Sequence, residues 1–122
     1  MTTVLIADDE PNLRLLVSAT LLSDECDVLE AEDGDEAWDL IVEHQPQIVI
    51  LDLQMPGRTG LELAEAIRRT PEISGIRIIM LTSKAQRADV ERGYRAGADV
   101  YLTKPFLPIE LLNAVERAME AA

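Results

Sequence analysis

The chain has 122 residues, the size of one domain, which is enough to bury a core without disulfides or a structural metal. Its 11 basic and 23 acidic residues give a net charge of −12, which opposes direct binding to nucleic acid or to an anionic membrane. The single cysteine, Cys26, excludes an internal disulfide, and the lack of a signal-type or membrane-length apolar segment predicts a cytoplasmic protein. The expected partner is therefore a protein, a metal ion or a small molecule.

Short apolar runs that end in polar residues recur along the chain. The central run, residues 48–52, is rich in β-branched residues and ends in Asp52, which is typical of a strand buried on both faces. The run at residues 27–31 has mixed polarity, which indicates the margin of a sheet. Together these runs predict five strands, at about residues 4–7, 27–31, 48–52, 76–81 and 99–102.

Five segments with apolar residues at helical spacing alternate with these strands. The first and last helices are predicted to begin at Pro11 and Pro108, and the second is predicted after the turn at residues 33–36. The third is predicted at residues 61–69, and the fourth, which has a thin apolar face, at residues 85–95. The residues expected to face the core are Leu13, Leu16, Val17, Thr20, Leu21, Ala37, Leu40, Ile41, Leu63, Ala64, Ile67, Leu111, Leu112, Val115 and Met119.

The connections between these elements are too short for anything except right-handed crossovers. We therefore expect residues 1–122 to form one domain with a flavodoxin-like, doubly wound (βα)5 α/β fold. Its five-stranded parallel sheet has the order 2-1-3-4-5, with helices on both faces. In such a sheet the carboxyl ends of the strands meet at one edge, where ligands bind.

Three carboxylates, those of Asp8, Asp9 and Asp52, converge at this predicted edge. Their mutual repulsion costs stability unless a proton or a cation compensates for it. Mg²⁺ accepts one or two carboxylates, keeps several waters and fills its remaining positions with phosphate oxygens. The cluster therefore predicts a magnesium site.

Other side chains at the same edge suit a phosphoryl group. Lys104 carries a mobile positive charge, and the Thr82 hydroxyl and the Ser83 backbone N–H can donate to phosphoryl oxygens. Catalysis of phosphoryl transfer is mostly positioning and charge neutralisation, so these few groups suffice. They predict a phosphoryl-transfer site in which Asp52 is the attacking nucleophile.

Four motifs follow one another across the whole chain: LIADDEP at residues 5–11, ILDLQMPG at 50–57, LTS at 81–83 and GADVYLTKPF at 97–106. In order and spacing they resemble the receiver domain of two-component response regulators. One position departs from the family pattern, because Thr59 stands where many receivers have an acidic residue. We expect this difference to alter a loop contact.

The resemblance implies that Asp52 accepts a phosphoryl group from the phosphohistidine of a sensor histidine kinase or a histidine phosphotransfer protein. It also implies Mg²⁺, with Mn²⁺ as an alternative, held by Asp9, Asp52 and the backbone carbonyl of Gln54, and by Asp8 directly or through water. A downstream protein or an output domain would receive the signal.

The resemblance further implies that Thr82 and Lys104 contact the phosphoryl oxygens. Thr82 would move toward the phosphate and Tyr101 would turn inward, changing the surface formed by the fourth helix, the fifth strand and the fifth helix. Such a protein assists its own phosphotransfer and autodephosphorylation but is not a turnover enzyme. A cis Lys104–Pro105 bond is also implied.

Three other functions would use some of the same residues. A haloacid-dehalogenase-type phosphohydrolase also uses a strand-end Asp, Mg²⁺ and Lys, but requires a second Asp where this chain has Gln54. A flavodoxin-like mononucleotide carrier needs a phosphate-binding loop after the first strand, where the acidic residues 8–10 would repel phosphate. A receiver acting only as a scaffold is disfavoured because the key side chains are intact.

Overall fold

The structure is a computed structural model that describes residues 2–22, 26–83, 94 and 96–120. Over these residues the chain forms five strands: β1 (Thr2–Ala7), β2 (Cys26–Ala31), β3 (Ile48–Asp52), β4 (Arg77–Ser83) and β5 (Val100–Lys104). Over the same residues it forms four helices: α1 (Pro11–Leu22), α2 (Gly34–His44), α3 (Gly60–Arg69) and α4 (Pro108–Glu120). Helix α4 is the fifth predicted helix. The fourth, predicted at 85–95, lies mainly outside the described residues.

The five strands form one parallel sheet in the order β2-β1-β3-β4-β5, which confirms the predicted order. Strand β3 lies in the centre, and all of its residues are buried. Val49 and Leu51 face a core shared with α2 and α3, whereas Ile48 and Ile50 face a second core shared with α1 and α4. The sheet is thus covered on both faces, as in the predicted flavodoxin-like fold.

Helices α1 and α4 begin at the predicted prolines, α3 begins one residue before its predicted start, and α2 begins at Gly34, inside the predicted turn. Pro11 and Pro108 are the first residues of α1 and α4, a position where the missing N–H of proline costs nothing. Helix α2 begins after Asp33, whose side chain accepts a hydrogen bond from the Glu36 backbone N–H at 2.8 Å. In the described part of the chain, no helix is both long and apolar enough to cross a membrane.

Two of the residues predicted to face the core do not do so. Leu16 is 36% exposed and Met119 is 47% exposed, and the buried positions beside them are Arg14 and Ala118. In both helices the buried residues are three and four positions apart and form a stripe that faces the sheet. This stripe lies on a slightly different side of the helix from the predicted one, so Leu16 and Met119 fall outside it. Five other predicted core residues are half-buried: Leu13, Thr20, Leu40, Leu112 and Val115.

Strands β4 and β5 both extend two residues beyond their predicted ends. Thr82 pairs with Thr103, and Ser83 pairs with Lys104, in the parallel register. These polar residues therefore belong to the sheet, not to the loops that follow it. As a result, the backbone at Thr82 and Lys104 is held by the strand ladder.

The start of β5 is anchored by Arg68 at the end of α3. Its guanidinium donates twice to the Gly97 carbonyl, at 3.0 and 2.6 Å, and once to Asp99 Oδ2 at 3.0 Å. The same Asp99 oxygen accepts from the Ile78 backbone N–H at 2.8 Å, which ties β5 to β4. Two further Arg68 bonds reach the carbonyls of Ser74 and Ile76.

Arg68→Met should lower the free energy of unfolding by about 2–4 kcal/mol, because it removes the guanidinium bonds to three carbonyls and the positive partner of the Asp99 carboxylate, which keeps the Ile78 N–H. The neighbouring Arg69 is exposed, so Arg69→Met should cost less than about 0.5 kcal/mol. Urea denaturation of the two variants measures the difference. Equal losses would contradict the anchoring role of Arg68.

Candidate functional site

The predicted site residues lie together at the carboxyl edge of the sheet. Asp52 and Lys104 are the last residues of β3 and β5, Thr82 lies near the end of β4, and Asp8 and Asp9 directly follow β1. Asp8, Asp52 and Thr82 are buried, at 0%, 7% and 2% exposure, whereas Asp9 is exposed. The parallel topology thus gathers residues that are far apart in the sequence.

The three carboxylates form a compact cluster. One oxygen from each of Asp8, Asp9 and Asp52 lies within 4.8 Å of the others. Asp8 is held firmly, because its Oδ1 accepts from the Glu10 backbone N–H at 2.8 Å and its own N–H donates to the Ala31 carbonyl at 3.1 Å. An all-oxygen set of this kind suits a hard divalent cation such as Mg²⁺.

Lys104 bridges the two buried carboxylates. Its Nζ lies 3.2 Å from Asp8 Oδ2 and 3.4 Å from Asp52 Oδ2. Burial works to lower the pKa of the Lys104 ammonium, but the attraction of Asp52 and Asp8 outweighs it and raises the pKa above its usual value. Lys104 is therefore fully charged at neutral pH.

The negative charge of Asp52 is only partly neutralised by the Lys104 ammonium. Burial, and then repulsion from Asp8, raise the pKa of Asp52 to about 6, against the opposing effects of Lys104 and of the Gln54 backbone N–H. The Gln54 bond to Asp52 Oδ1 is long, at 3.4 Å. An additional cation would relieve this repulsion, so the residues present fit a metal ion.

The loop after Asp52 ends in a capping box. The Thr59 hydroxyl accepts from the Glu62 backbone N–H at 3.2 Å, and the Thr59 N–H donates to Glu62 Oε1 at 3.0 Å. This is the contact that Thr59 makes in place of the family's acidic residue, and it starts α3. The first residue of α3, Gly60, lies so close to Asp52 that an added Cβ would overlap the Asp52 carbonyl oxygen.

The expected switch residues lie on adjacent strands. The buried Thr82 hydroxyl donates to the Ser83 carbonyl at 3.3 Å, and Ser83 is half-buried at the end of β4. Tyr101 is half-buried on β5, and its ring packs against that of Tyr94, with centroids 4.9 Å apart and planes tilted by 58°. The Lys104–Pro105 bond is cis, as the resemblance implies.

Sequence reasoning missed Arg14, which lies behind the cluster. Arg14 is only 8% exposed, and its Nη1 donates to the Asp8 carbonyl at 2.6 Å. Its Nε lies 3.3 Å from Glu30 Oε1, and its Nη2 lies 3.8 Å from Glu32 Oε1. The available signal was the helical spacing of Arg14 with Val17, three residues later on the buried stripe of α1.

Comparisons with known proteins agree with this geometry. The family model of the response regulator receiver domain matches residues 4–116. The phosphate regulon transcriptional regulatory protein PhoB of Pseudomonas aeruginosa is 40% identical over 117 residues, which is 96% of this chain and 51% of that protein. The chain thus spans about half the length of this curated relative.

Solved structures show the same likeness. The chemotaxis response regulator CheY4 of Vibrio cholerae matches with a TM-score of 0.91 and 34% identity, covering 97% of this chain and 98% of that one. The receiver domain of NtrX from Brucella abortus matches with a TM-score of 0.87 and 30% identity, covering 98% and 99% of the two chains.

The fold is that of a receiver domain of two-component signalling. The chain belongs to the response regulator receiver domain family, which confirms the resemblance in its sequence motifs. Receiver domains interact with histidine kinases and output domains, typically bind Mg²⁺ at an acidic pocket and are generally not turnover enzymes. Membership therefore favours a switch over the phosphohydrolase and mononucleotide-carrier interpretations.

Asp52→Asn should stabilise the metal-free protein at neutral pH. The pKa of Asp52 is raised from 3.8 to about 6 in the folded state, so its contribution to stability is present below pH 4 and is lost as the pH rises through 6. The amide does not ionise and has no such loss. The free energy of unfolding of the variant minus that of wild type should therefore be about 1–3 kcal/mol larger at pH 7.5 than at pH 4.

Urea denaturation at the two pH values, without divalent ions, measures this gain. Asp39→Asn, at an exposed position on α2, is the control and should show no comparable pH-dependent gain. An Asp52→Asn variant with the same advantage at both pH values would contradict the assigned electrostatics.

Proposed function

We propose that residues 1–122 form a single receiver domain that acts as the phosphorylatable switch of a two-component phosphorelay. Asp52 accepts a phosphoryl group from the phosphohistidine of a sensor histidine kinase or a histidine phosphotransfer protein. The supporting observation is the meeting of Asp52, Lys104 and Thr82 at one sheet edge, with Asp8 and Asp9 beside them. We place this activity in the cytoplasm.

Asp52 is suited to be the nucleophile. Since its pKa is about 6, it is a carboxylate at neutral pH, as attack requires. An Asp52 oxygen attacks the phosphorus, and the bond from phosphorus to the imidazole nitrogen of the donor breaks. The electron pair leaves with that nitrogen, which takes up a proton, and Asp52 becomes an acyl phosphate. Attack of water on this phosphorus restores Asp52 and releases inorganic phosphate.

Lys104 and Thr82 are placed to receive the phosphoryl oxygens. The Lys104 ammonium already lies 3.4 Å from Asp52, and its flexible stem lets it follow the added group. The Thr82 hydroxyl donates a 3.3 Å bond to the Ser83 carbonyl, and in the proposed mechanism it turns from this long bond toward a phosphoryl oxygen. The Ser83 backbone N–H is a further donor.

Mg²⁺, or Mn²⁺ in its place, fits the acidic cluster. We assign its ligands to Asp8, directly or through water, Asp9, Asp52 and the backbone carbonyl of Gln54. When bound, the ion supplies positive charge that neutralises the transferring phosphoryl group. The carboxylates hold this position because they lie within 4.8 Å of one another.

We infer that the switch acts through Thr82 and Tyr101. As Thr82 moves toward the phosphate, Tyr101 turns inward and changes the surface of β5 and its neighbouring helices, which a downstream protein or an output domain reads. The relative from Pseudomonas aeruginosa is named as a transcriptional regulator, which supports transcription as one output. The net charge of −12 argues that this domain itself does not contact nucleic acid.

Incubation with acetyl phosphate and Mg²⁺ should add one phosphoryl group to the wild-type chain, detected by intact mass, and the group should be lost on standing. Asp52→Asn should add none, whereas the exposed control Asp39→Asn should label like wild type. Retained labelling of Asp52→Asn would overturn the assignment of the acceptor.

Mg²⁺ should raise the melting temperature, because it binds the native cluster and not the unfolded chain. At a hundredfold excess over its dissociation constant, the ion should contribute about 2.7 kcal/mol. Asp9→Asn removes one exposed ligand and should reduce the shift without unfolding the protein. An unchanged melt of the wild type in millimolar Mg²⁺ would count against the metal site.

A further inference from the structure

The loop that carries Gln54 is fixed at both of its ends. Residues 53–59 connect Asp52, at the end of β3, to the start of α3. At one end the Leu53 N–H donates to the Leu81 carbonyl at 3.0 Å, and at the other the Gly60 N–H donates to the Leu53 carbonyl at 3.2 Å. The position of the middle of the loop therefore depends on what it contacts outside itself.

The middle of the loop lies against the first turn of α2. The Gly34 N–H donates to the Pro56 carbonyl at 3.0 Å, and a Cβ on Gly34 would overlap the Arg58 carbonyl oxygen. Gly57 has φ +75° and lies beside the Asp35 carboxylate, an approach that a side chain at this position would obstruct. Helix α2 and the loop thus meet backbone to backbone.

Arg58 reinforces this contact with its side chain. Its guanidinium carbon lies 5.0 Å from the centre of the Trp38 ring, and its Nε lies 3.7 Å from Asp35 Oδ1. Both partners belong to α2, so one planar cation binds a ring face and a carboxylate of the same helix, a combination that suits arginine. Each contact is weak at this exposure, but both act on a short loop.

We propose that Arg58 is a positioning residue for the metal site: by holding residues 53–59 on α2 through Trp38 and Asp35, it presets the backbone carbonyl of Gln54 for a divalent cation. This inference rests on the proposed function, since it assigns Gln54 to that cation. Ordering the loop before the ion arrives lowers the entropic cost of binding. Arg58 acts through the loop and does not touch the phosphoryl group.

Arg69 provides a matched control. Arg58 and Arg69 line the same cavity of about 400 Å³ between α2 and α3, together with Trp38, Glu62, Ala66 and Thr70. Arg69 lies in the last turn of α3 and is not part of the loop. Loss of either arginine removes one positive charge, which by electrostatics alone would strengthen the binding of a cation to the acidic cluster.

The test is a calorimetric titration of Mg²⁺ into wild type, Arg58→Ala, Arg58→Lys and Arg69→Ala. Arg58→Ala should weaken Mg²⁺ binding about three- to tenfold, Arg58→Lys should fall between it and wild type, and Arg69→Ala should bind at least as tightly as wild type. At saturating Mg²⁺, acetyl phosphate should label all four proteins at the same rate, because the chemistry at Asp52 is untouched.

Trp38 supplies a second readout, since it is the single tryptophan of the chain. Its emission should change on Mg²⁺ binding in wild type and change less in Arg58→Ala. Equal Mg²⁺ affinity of wild type and Arg58→Ala would overturn the inference, and so would equal weakening by Arg58→Ala and Arg69→Ala. Failure of the wild type to bind Mg²⁺ would instead overturn the metal site itself, and the inference with it.

Discussion

The site is organised by the Lys104 ammonium, which lies between the buried carboxylates of Asp8 and Asp52. Without it, two negative charges would face each other at the edge of an apolar sheet. Even with it, the pKa of Asp52 rises to about 6, so the cluster remains under-neutralised. The domain thus carries an electrostatic cost in the pocket where we propose that a cation and a phosphoryl group bind.

Hydrogen bonds elsewhere in the fold fix the backbone that carries Asp8, Asp52 and Lys104. Strand β5 carries Lys104 at one end, and Arg68 anchors the backbone near its other end to α3 and β4. Arg14 holds the Asp8 carbonyl from within α1, and α2 supports the loop that follows Asp52. The charged pair therefore sits on backbone that is bonded on several sides.

Much of the fold and of the candidate site was predictable from the sequence, because a parallel sheet brings the carboxyl ends of its strands to one edge. The apolar run of β3 and the polar residues after each strand were enough to place Asp52, Thr82 and Lys104 together. The helical spacing of Arg14 with Val17 was not enough to predict the burial of Arg14 in place of Leu16, because a modest rotation of the helix decides which of the two faces the sheet. The Arg58 contact with Trp38 joins residues 20 positions apart and has no local pattern.

The arginines and Lys104 have different roles in this structure because a guanidinium and an ammonium differ chemically. Only two of the 11 basic residues are lysines, Lys84 and Lys104. Arg68 holds three backbone carbonyls, and Arg14 holds the Asp8 carbonyl while it pairs with the Glu30 and Glu32 carboxylates, tasks that suit the rigid, forked guanidinium. Lys104 occupies the position where the proposed mechanism needs a cation to leave one carboxylate and follow a phosphoryl group. A compact ammonium on a flexible stem can do so without breaking a fixed set of backbone bonds.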